Sequence, residues 1–250
     1  MHHSTCNNCD APGLSPPARF YQRLIAGEQD QAWLVLRTEM EKKPLHELYD
    51  SVVLPALSMA ERDRQGGSLD EKDEARIEEA TRLILEEAGE AHADPAPAMV
   101  PTLLDPVRVL CLPARGTADA LAAVMLRQVL ERDGVQVEVS STAELSGETL
   151  DRLEDRRVDI VCISAVLPSR FMHVRYLCKR IAGRDPRLPI VAGMWTLEPE
   201  TEGVPVLLPL LAGVHVVTSL CEARTRVRQL AESVRLRHEA GLGAVVAASA

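Results

Sequence analysis

The stretch from Val107 to Gly134 constrains the fold of this chain more than any other. It opens with an apolar run between Pro106 and Pro113, interrupted by Arg108 alone, as in a strand that is buried on both faces. A short turn then leads into apolar residues at helical spacing, which are Leu121, Val124, Met125 and Val129. The pattern ends at glycine, a residue type favoured just after helices. The sequence therefore predicts a strand, a turn and a helix, in that order.

The same alternation continues along the chain. Further strands are predicted at 136–140, 158–165, 189–192 and 213–218, and helices at 147–156, 171–184 and 221–239. Alternating strands and helices predict an α/β domain whose parallel strands are joined by right-handed crossovers. Five strands suit a flavodoxin-like sheet of order 2-1-3-4-5, in which ligands bind beyond the carboxyl ends of the strands.

Four helical patterns precede this domain, at 18–26, 29–43, 44–64 and 70–91. Pro55 is expected to kink the third of them, and their short connections predict a small antiparallel helical bundle. We therefore divide the chain into a disordered tail (1–14), the bundle (15–91), a linker with three prolines (92–105), the α/β domain (106–239) and a second tail (240–250).

The balance of charge and the distribution of apolar residues exclude several kinds of protein. The chain has 37 Asp and Glu against 28 Lys and Arg, a net charge of −9, so no nucleic-acid surface is expected. No window reaches the ~18 consecutive apolar residues of a membrane span. The first residues also lack the charged and apolar regions of a signal peptide. We expect a cytoplasmic protein without a membrane span.

The cysteines lead to two different expectations. Four of them fall in strand or helix patterns, where a thiol usually serves as a small buried side chain; these are Cys111, Cys162, Cys178 and Cys221. Cys6 and Cys9 have Cys-x-x-Cys spacing and, together with His2 and His3, could supply four metal ligands. A metal or redox site there competes with a mobile tail that binds nothing.

The ends of the strands lack several familiar motifs. No glycine-rich motif for a dinucleotide or a nucleoside triphosphate is present. A receiver domain would need carboxylates after the first strand and an aspartate after the third, where the chain has Pro113, Ala114 and Ser164. The G-x-S-x-G elbow of a hydrolase is also absent from the sequence.

Residues 18 to 236 nevertheless resemble one family, the cobalamin-binding module of methionine synthase, corrinoid carrier proteins and cobalamin-dependent light-sensing regulators. In that family a helical cap and a linker precede a five-stranded flavodoxin-like domain. A D-x-H-x-x-G turn follows the first strand, and its histidine coordinates cobalt. An S-x-L ends the third strand and a G-G ends the fourth.

The motifs of that family are present only in part. Thr117, Asp119 and Ala122 stand at the three motif positions of the turn, with Asp119 at the histidine position. Ser164-Ala165-Val166 is similar to S-x-L, and Ala192-Gly193 to half of G-G. Because a single carboxylate is a poorer ligand for a transition metal than imidazole, the resemblance implies a degenerate module in which cobalamin binding remains possible without histidine ligation.

The bundle also resembles the family's cap, in LYDSVVLPALSMAERDRQGGSLDEKDEA. Where the family has a tryptophan and a later Glu-His pair over the corrin, this chain has Arg64, Glu74 and Ala75. The bundle and the first and third strand units together resemble a second group, the soluble C-terminal region attached to some bacterial permeases of the autoinducer-export type. Such regions likewise keep the shell of a cobalamin domain without its histidine.

Twelve candidate site residues follow from these motifs and from the predicted strand ends. They are Arg115, Gly116, Thr117, Asp119, Ser164, Val166, Ser169, Arg170, His173, Ala192, Gly193 and Trp195. Two arginines among polar neighbours near helix starts suit a small anion or a partner protein. The same residues also suit structural roles, since Asp119 and Ser169 can cap helices and Arg115 can pair with a surface acid.

Three large side chains deserve separate interpretations. His173, in the first turn of a helix, is either a substitute cobalt ligand or a partly exposed polar residue. Trp195 either covers a flat ligand or is buried against the sheet. His215 lies inside a predicted strand and is interpreted as a core residue with satisfied hydrogen bonds.

Our first hypothesis is a non-enzymatic regulatory or interaction module with a cobalamin-binding-type fold. One alternative is a cobalamin carrier or corrinoid-binding subunit that binds base-on or through a substitute ligand. Another is a metal or redox protein that uses Cys6 and Cys9. The expected partner is a small anion or another protein, for example a membrane transporter domain.

Overall fold

The computed structural model describes residues 13–92, 106–140, 157–167, 171–197 and 213–248, with the backbone alone for 239–248. The predicted helix at 147–156 and nearly all of the predicted linker and first tail lie outside these ranges. So do Ser169 and Arg170, and the four potential metal ligands His2, His3, Cys6 and Cys9.

Five parallel strands form one sheet of order β2-β1-β3-β4-β5, as predicted. They are β1 (Arg108–Pro113), β2 (Gln136–Val139), β3 (Ile160–Val166), β4 (Ile190–Trp195) and β5 (Val214–Val217). The central strands β1, β3 and β4 are almost wholly buried because both faces of the sheet are covered, which explains their apolar runs. β4 continues past its predicted end because its last two residues pair with Ala165 and Val166.

Helices cover the two faces of the sheet. They are α6 (Thr117–Glu131), α7 (Phe171–Arg184) and α8 (Leu220–Ala248). Because neighbouring strand residues point to opposite faces, Leu110 packs with α7 while Cys111 packs with α6 and α8. α8 continues beyond its predicted end at 239.

The N-terminal bundle consists of α1 (Pro16–Ile25), α2 (Gln29–Met40), α3 (Leu45–Leu48), α4 (Leu54–Gln65) and α5 (Glu71–Ala91). A π-helix, Tyr49–Val53, separates α3 from α4, and Pro55 lies in the first turn of α4. Because proline has no N–H to donate to the carbonyl four residues back, the helix departs from α geometry where a kink was predicted.

The bundle and the α/β domain share one buried hydrophobic cluster. It contains Phe20 and Leu36 of the bundle together with Met125 and Leu126 of α6. Hydrogen bonds cross the same boundary through Gln128, which accepts from the Tyr49 hydroxyl and donates to the carbonyl of Leu85 at 2.9 Å. The bundle therefore packs directly on α6.

Candidate functional site

The turn after β1 is held by the carboxylate of Asp119. This side chain is 1% exposed, and its Oδ2 accepts from the backbone N–H groups of Arg115 at 2.9 Å and Gly116 at 3.0 Å. Its Oδ1 accepts from the backbone N–H of Val166 at 2.7 Å. Asp119 therefore caps α6 and ties the turn to the end of β3, which is the structural role considered for it.

Trp195 is the last residue of β4 and pairs with Val166 at the end of β3. Its indole is fully buried, and Nε1 donates to the Ser164 hydroxyl at 2.7 Å. Ser164 pairs with Gly193 in the sheet, so these three residues meet on the face that α6 and α8 cover. A Cβ atom added to Gly193 would lie 2.1 Å from Cζ2 of the indole. Glycine is required there because the ring lies directly on its backbone.

Helix α4 of the bundle contacts the end of β3. The Ser58 hydroxyl donates to the carbonyl of Leu167 at 3.1 Å in a buried contact. One turn later Glu61 is 5% exposed and accepts from Arg64 at 2.9 and 2.7 Å and from Gln65 at 2.9 Å. Ser58 and Glu61 are not among the site residues predicted from the sequence, although polar residues beside the apolar Leu54 and Leu57 were a visible signal.

Arg64 carries positive charge towards the turn after β1. The hydrogen bond from Arg64 to Glu61 raises the pKa of the guanidinium, and the charges of Glu61, Glu74 and Asp119 raise it further. The Arg64 guanidinium is paired with the buried Glu61 carboxylate.

The remaining candidate residues are spread over two faces of the sheet. Arg115 and Thr117 are exposed at the turn, where Gly116 is the N-cap of α6. Ala192 points to the opposite face, in the cluster that contains α7, the helix of His173. Asp119 therefore contacts the turn and the end of β3. Ser164, Gly193 and Trp195 contact one another at the ends of β3 and β4. The described candidate residues do not all lie in one site.

Two expectations about single side chains are wrong. His215 is half-buried, because β5 is the last strand at its edge of the described sheet; burial lowers its pKa, which favours the neutral ring. Cys221 is exposed, because it lies in the first turn of α8 rather than on its packed face.

The other three described cysteines are buried, as expected. Cys111 and Cys162 are paired neighbours on β1 and β3. A hydrogen bond between them, together with burial, raises the pKa of the Cys111 thiol, and burial raises that of Cys178 to about 12. Thiols with raised pKa values are poor nucleophiles at neutral pH.

The described residues contain neither a metal-binding cluster nor a membrane-spanning helix. No group of three or more His, Cys, Asp or Glu side chains among them could hold a metal ion. No helix in the same part of the chain is long and apolar enough to cross a membrane.

Comparison with known proteins relates this geometry to one class of domain. Residues 107–200 match the family described as the B12 binding domain. The monomethylamine corrinoid protein of Methanosarcina barkeri superposes with a TM-score of 0.59 at 8% identity, covering 84% of this chain and 96% of that chain. The fold is therefore that of a helical cap followed by a flavodoxin-like, B12-binding-type domain.

Two other solved structures are less similar. A cobalamin-binding protein from Desulfitobacterium hafniense DCB-2 has a TM-score of 0.39 at 13% identity, covering 86% of this chain and 98% of that one. The methanol:cobalamin methyltransferase complex of Methanosarcina barkeri has a TM-score of 0.42 at 13% identity, covering 89% and 84%. No curated protein matches the chain.

Proposed function

We propose that this chain is a non-enzymatic regulatory or interaction module built on a B12-binding-type domain, and that no histidine of the turn after β1 ligates cobalt in it. The observation that carries the proposal is the indole of Trp195, which lies on Gly193 and donates to Ser164. Gly193 and Ser164 stand at the positions where the family resemblance places the G-G and S-x-L motifs.

A glycine at the end of a strand lets a ligand approach the backbone closely. In this chain the indole fills that space, so a ligand that rests on Gly193 must displace a fully buried tryptophan from its hydrogen bond. Displacement would expose a large apolar side chain and leave the Ser164 hydroxyl without this partner. The space beside Gly193 therefore does not fit a cofactor tail while Trp195 keeps its place.

The hydrogen bonds of Asp119 also support the proposal. Its carboxylate accepts three backbone N–H bonds, and ligating a metal would compete with them. Carboxylate oxygens are also harder ligands than imidazole nitrogen. The described residues therefore do not fit a corrinoid held by a histidine of this turn.

Titration with hydroxocobalamin tests the proposal. We expect no change in the corrin absorbance spectrum that signals exchange of a cobalt ligand. A stoichiometric spectral shift would contradict the proposal, and its loss in His173→Ala would identify His173 as the ligand.

A small aromatic molecule tests the role of Trp195 separately. Trp195→Ala leaves a buried apolar cavity, and such cavities bind aromatic molecules. We expect 5,6-dimethylbenzimidazole to raise the Tm of Trp195→Ala but not of the unmutated protein or of Trp33→Ala, which removes the partly buried tryptophan of α2. If Trp195→Ala does not fold, binding of the same molecule to Trp195→Leu replaces this measurement. Stabilisation of the unmutated protein would mean that the space beside Gly193 is open.

The family match over residues 107–200 favours a second candidate, a corrinoid-binding carrier without histidine ligation. It predicts that cobinamide, a corrinoid without a nucleotide tail, raises the Tm at least as much as cobalamin does, because no tail then competes with the indole. The first candidate predicts no stabilisation by either compound.

A further inference from the structure

The outer surface of α7 is basic and partly apolar. Met172 and Tyr176 are 67% and 52% exposed. With the exposed Lys179 and Gly183 they form one stripe along the helix, at successive spacings of four, three and four residues. The segment Phe171–Arg184 contains no Asp or Glu, although the chain as a whole has a net charge of −9.

Two cations of this surface are unpaired among the residues that the structure describes. Within the part that the structure describes, Arg175 and Lys179 have no ion-pair or hydrogen-bond partner. The Arg180 guanidinium lies 5.8 Å from the ring centroid of Tyr176 and donates to its hydroxyl at 3.3 Å. This surface therefore suits an anionic partner with an apolar side chain at its centre.

Helix α5 has the complementary surface. Glu79, Leu83, Glu86 and Glu90 are exposed at the same spacings of four, three and four residues. Leu83, which is 36% exposed, is the apolar member of this stripe. The helix contains eight Asp and Glu against three Lys and Arg. Glu79 and Glu86 share Arg82 in exposed ion pairs, which contribute little stability and can yield to a new partner.

We propose that α7 of one copy of this chain packs, parallel and in register, against α5 of a second copy. In this register Tyr176 meets Leu83 and Lys179 meets Glu86. The antiparallel arrangement would instead set Tyr176 against Glu86 and Lys179 against Leu83. Gly183 would lie opposite Glu90, and its lack of a side chain permits close approach of the two helices.

The contact joins different surfaces of the two copies. α7 packs on one face of the sheet, whereas α5 belongs to the bundle on the other face. A contact between them is therefore heterologous and leaves an unused α7 and an unused α5 at the ends of the assembly. A contact of two helices is smaller than the ~1,600 Å² of a standard interface, so the association is weak and depends on salt and protein concentration.

Sedimentation velocity of two charge-reversed variants tests the proposal. Arg175→Glu with Lys179→Glu reverses α7, and Glu86→Lys with Glu90→Lys reverses α5. We expect self-association of the unmutated protein at low salt and its weakening by about tenfold or more in each variant alone. Mixing the two reversed variants should restore association, because opposite charges face each other again.

One matched control and one uncharged variant separate docking from general charge effects. Arg228→Glu with Arg235→Glu makes the same change in net charge at exposed positions of α8 and should leave association intact. A Cβ atom at Gly183 meets nothing within 4 Å, so Gly183→Gln should fold normally and still weaken association by obstructing the helix contact.

Three results would overturn the proposal. The first is a monomer at every concentration at low salt. The second is equal loss of association in the α8 control, which would reduce the effect to net charge. The third is a monomer that pellets with vesicles containing about one third phosphatidylglycerol and loses this binding when α7 is reversed. That third result would make an anionic lipid surface the occupant of α7. Self-association through α5 and α7 does not depend on whether a corrinoid binds.

Discussion

At the scale of single residues, Asp119 and Trp195 show where sequence reasoning has to stop. The sequence allowed two roles for each, a ligand contact or a structural one. The partner that decides for Asp119 is the N–H of Val166, 47 residues away. The partner that decides for Trp195 is Ser164, 31 residues away. Both choices depend on how β3 lies beside its neighbours, which no local pattern contains.

Substitution of Gly193 tests the close contact with the indole. Gly193→Ala should lower the free energy of unfolding by about 1–3 kcal/mol, because the added methyl group overlaps a fully buried ring. Gly183→Ala is the matched control, since its methyl group meets nothing and should stabilise α7 by up to about 1 kcal/mol. Urea denaturation measures both. Equal effects of the two substitutions would mean that the indole does not restrict Gly193.

Substitution of Asp119 tests the tie between the turn and β3. Asp119→Ala leaves three backbone N–H groups without this carboxylate, and we expect a loss of about 3 kcal/mol or more. Asp119→Asn keeps an acceptor oxygen and should lose less. Urea unfolding of both variants measures which loses more unfolding free energy. An unchanged unfolding free energy in Asp119→Ala would show that solvent replaces the carboxylate without loss.

At the scale of whole elements, periodicity predicted most of the fold. Alternation and spacing were enough to predict the five strands and the described helices α1, α2, α5, α6, α7 and α8. The strand order followed from the flavodoxin-like topology that five such strands suit. The errors lie where tertiary contacts extend or expose an element. β4 extends past its predicted end because its last residues pair with β3, and Cys221 is exposed at the start of α8.

Asp50 links the π-helix of the bundle to the start of α8. Its carboxylate accepts from the backbone N–H groups of Leu220 at 2.7 Å and Cys221 at 3.1 Å, 170 residues along the chain. Burial raises the pKa of Asp50 even though these two hydrogen bonds lower it. Ionisation of Asp50 is therefore less favourable in the folded protein than in the unfolded chain.

This shift predicts how stability depends on pH. The folded protein binds a proton at Asp50 more readily than the unfolded chain does, so the resulting stability is present below the unfolded pKa of 3.8 and is lost as pH rises through the raised folded pKa. The difference in unfolding free energy between the unmutated protein and Asp50→Asn should thus shift in favour of the unmutated protein at acid pH. Urea titrations from pH about 3 to about 7 measure it. A difference that grows with pH would mean that the two N–H donors outweigh burial.

At the scale of the whole molecule, the bundle and the α/β domain are predicted from sequence as separate units but share their core. Arg132 donates at 3.1 Å to the carbonyls of Gly89 and His92 at the end of α5, and Gln128 and Asp50 join the same two units elsewhere. The sequence could predict each apolar face but not which faces meet, because helices of similar amphipathicity can pair in many ways.

Cleavage of the segment that joins the two units tests this organisation. We propose that limited proteolysis cuts between residues 91 and 106, where three prolines interrupt any helical or strand pattern. The two fragments should remain bound and elute together in size-exclusion chromatography, because the buried cluster and the hydrogen bonds of Gln128 and Asp50 still join them. The combined variant Gln128→Ala with Asp50→Ala should release the fragments at a lower urea concentration than the unmutated protein does. Cutting inside 107–218 would contradict the division, and fragments that separate without denaturant would show that the covalent connection, rather than the shared core, holds the bundle on the sheet.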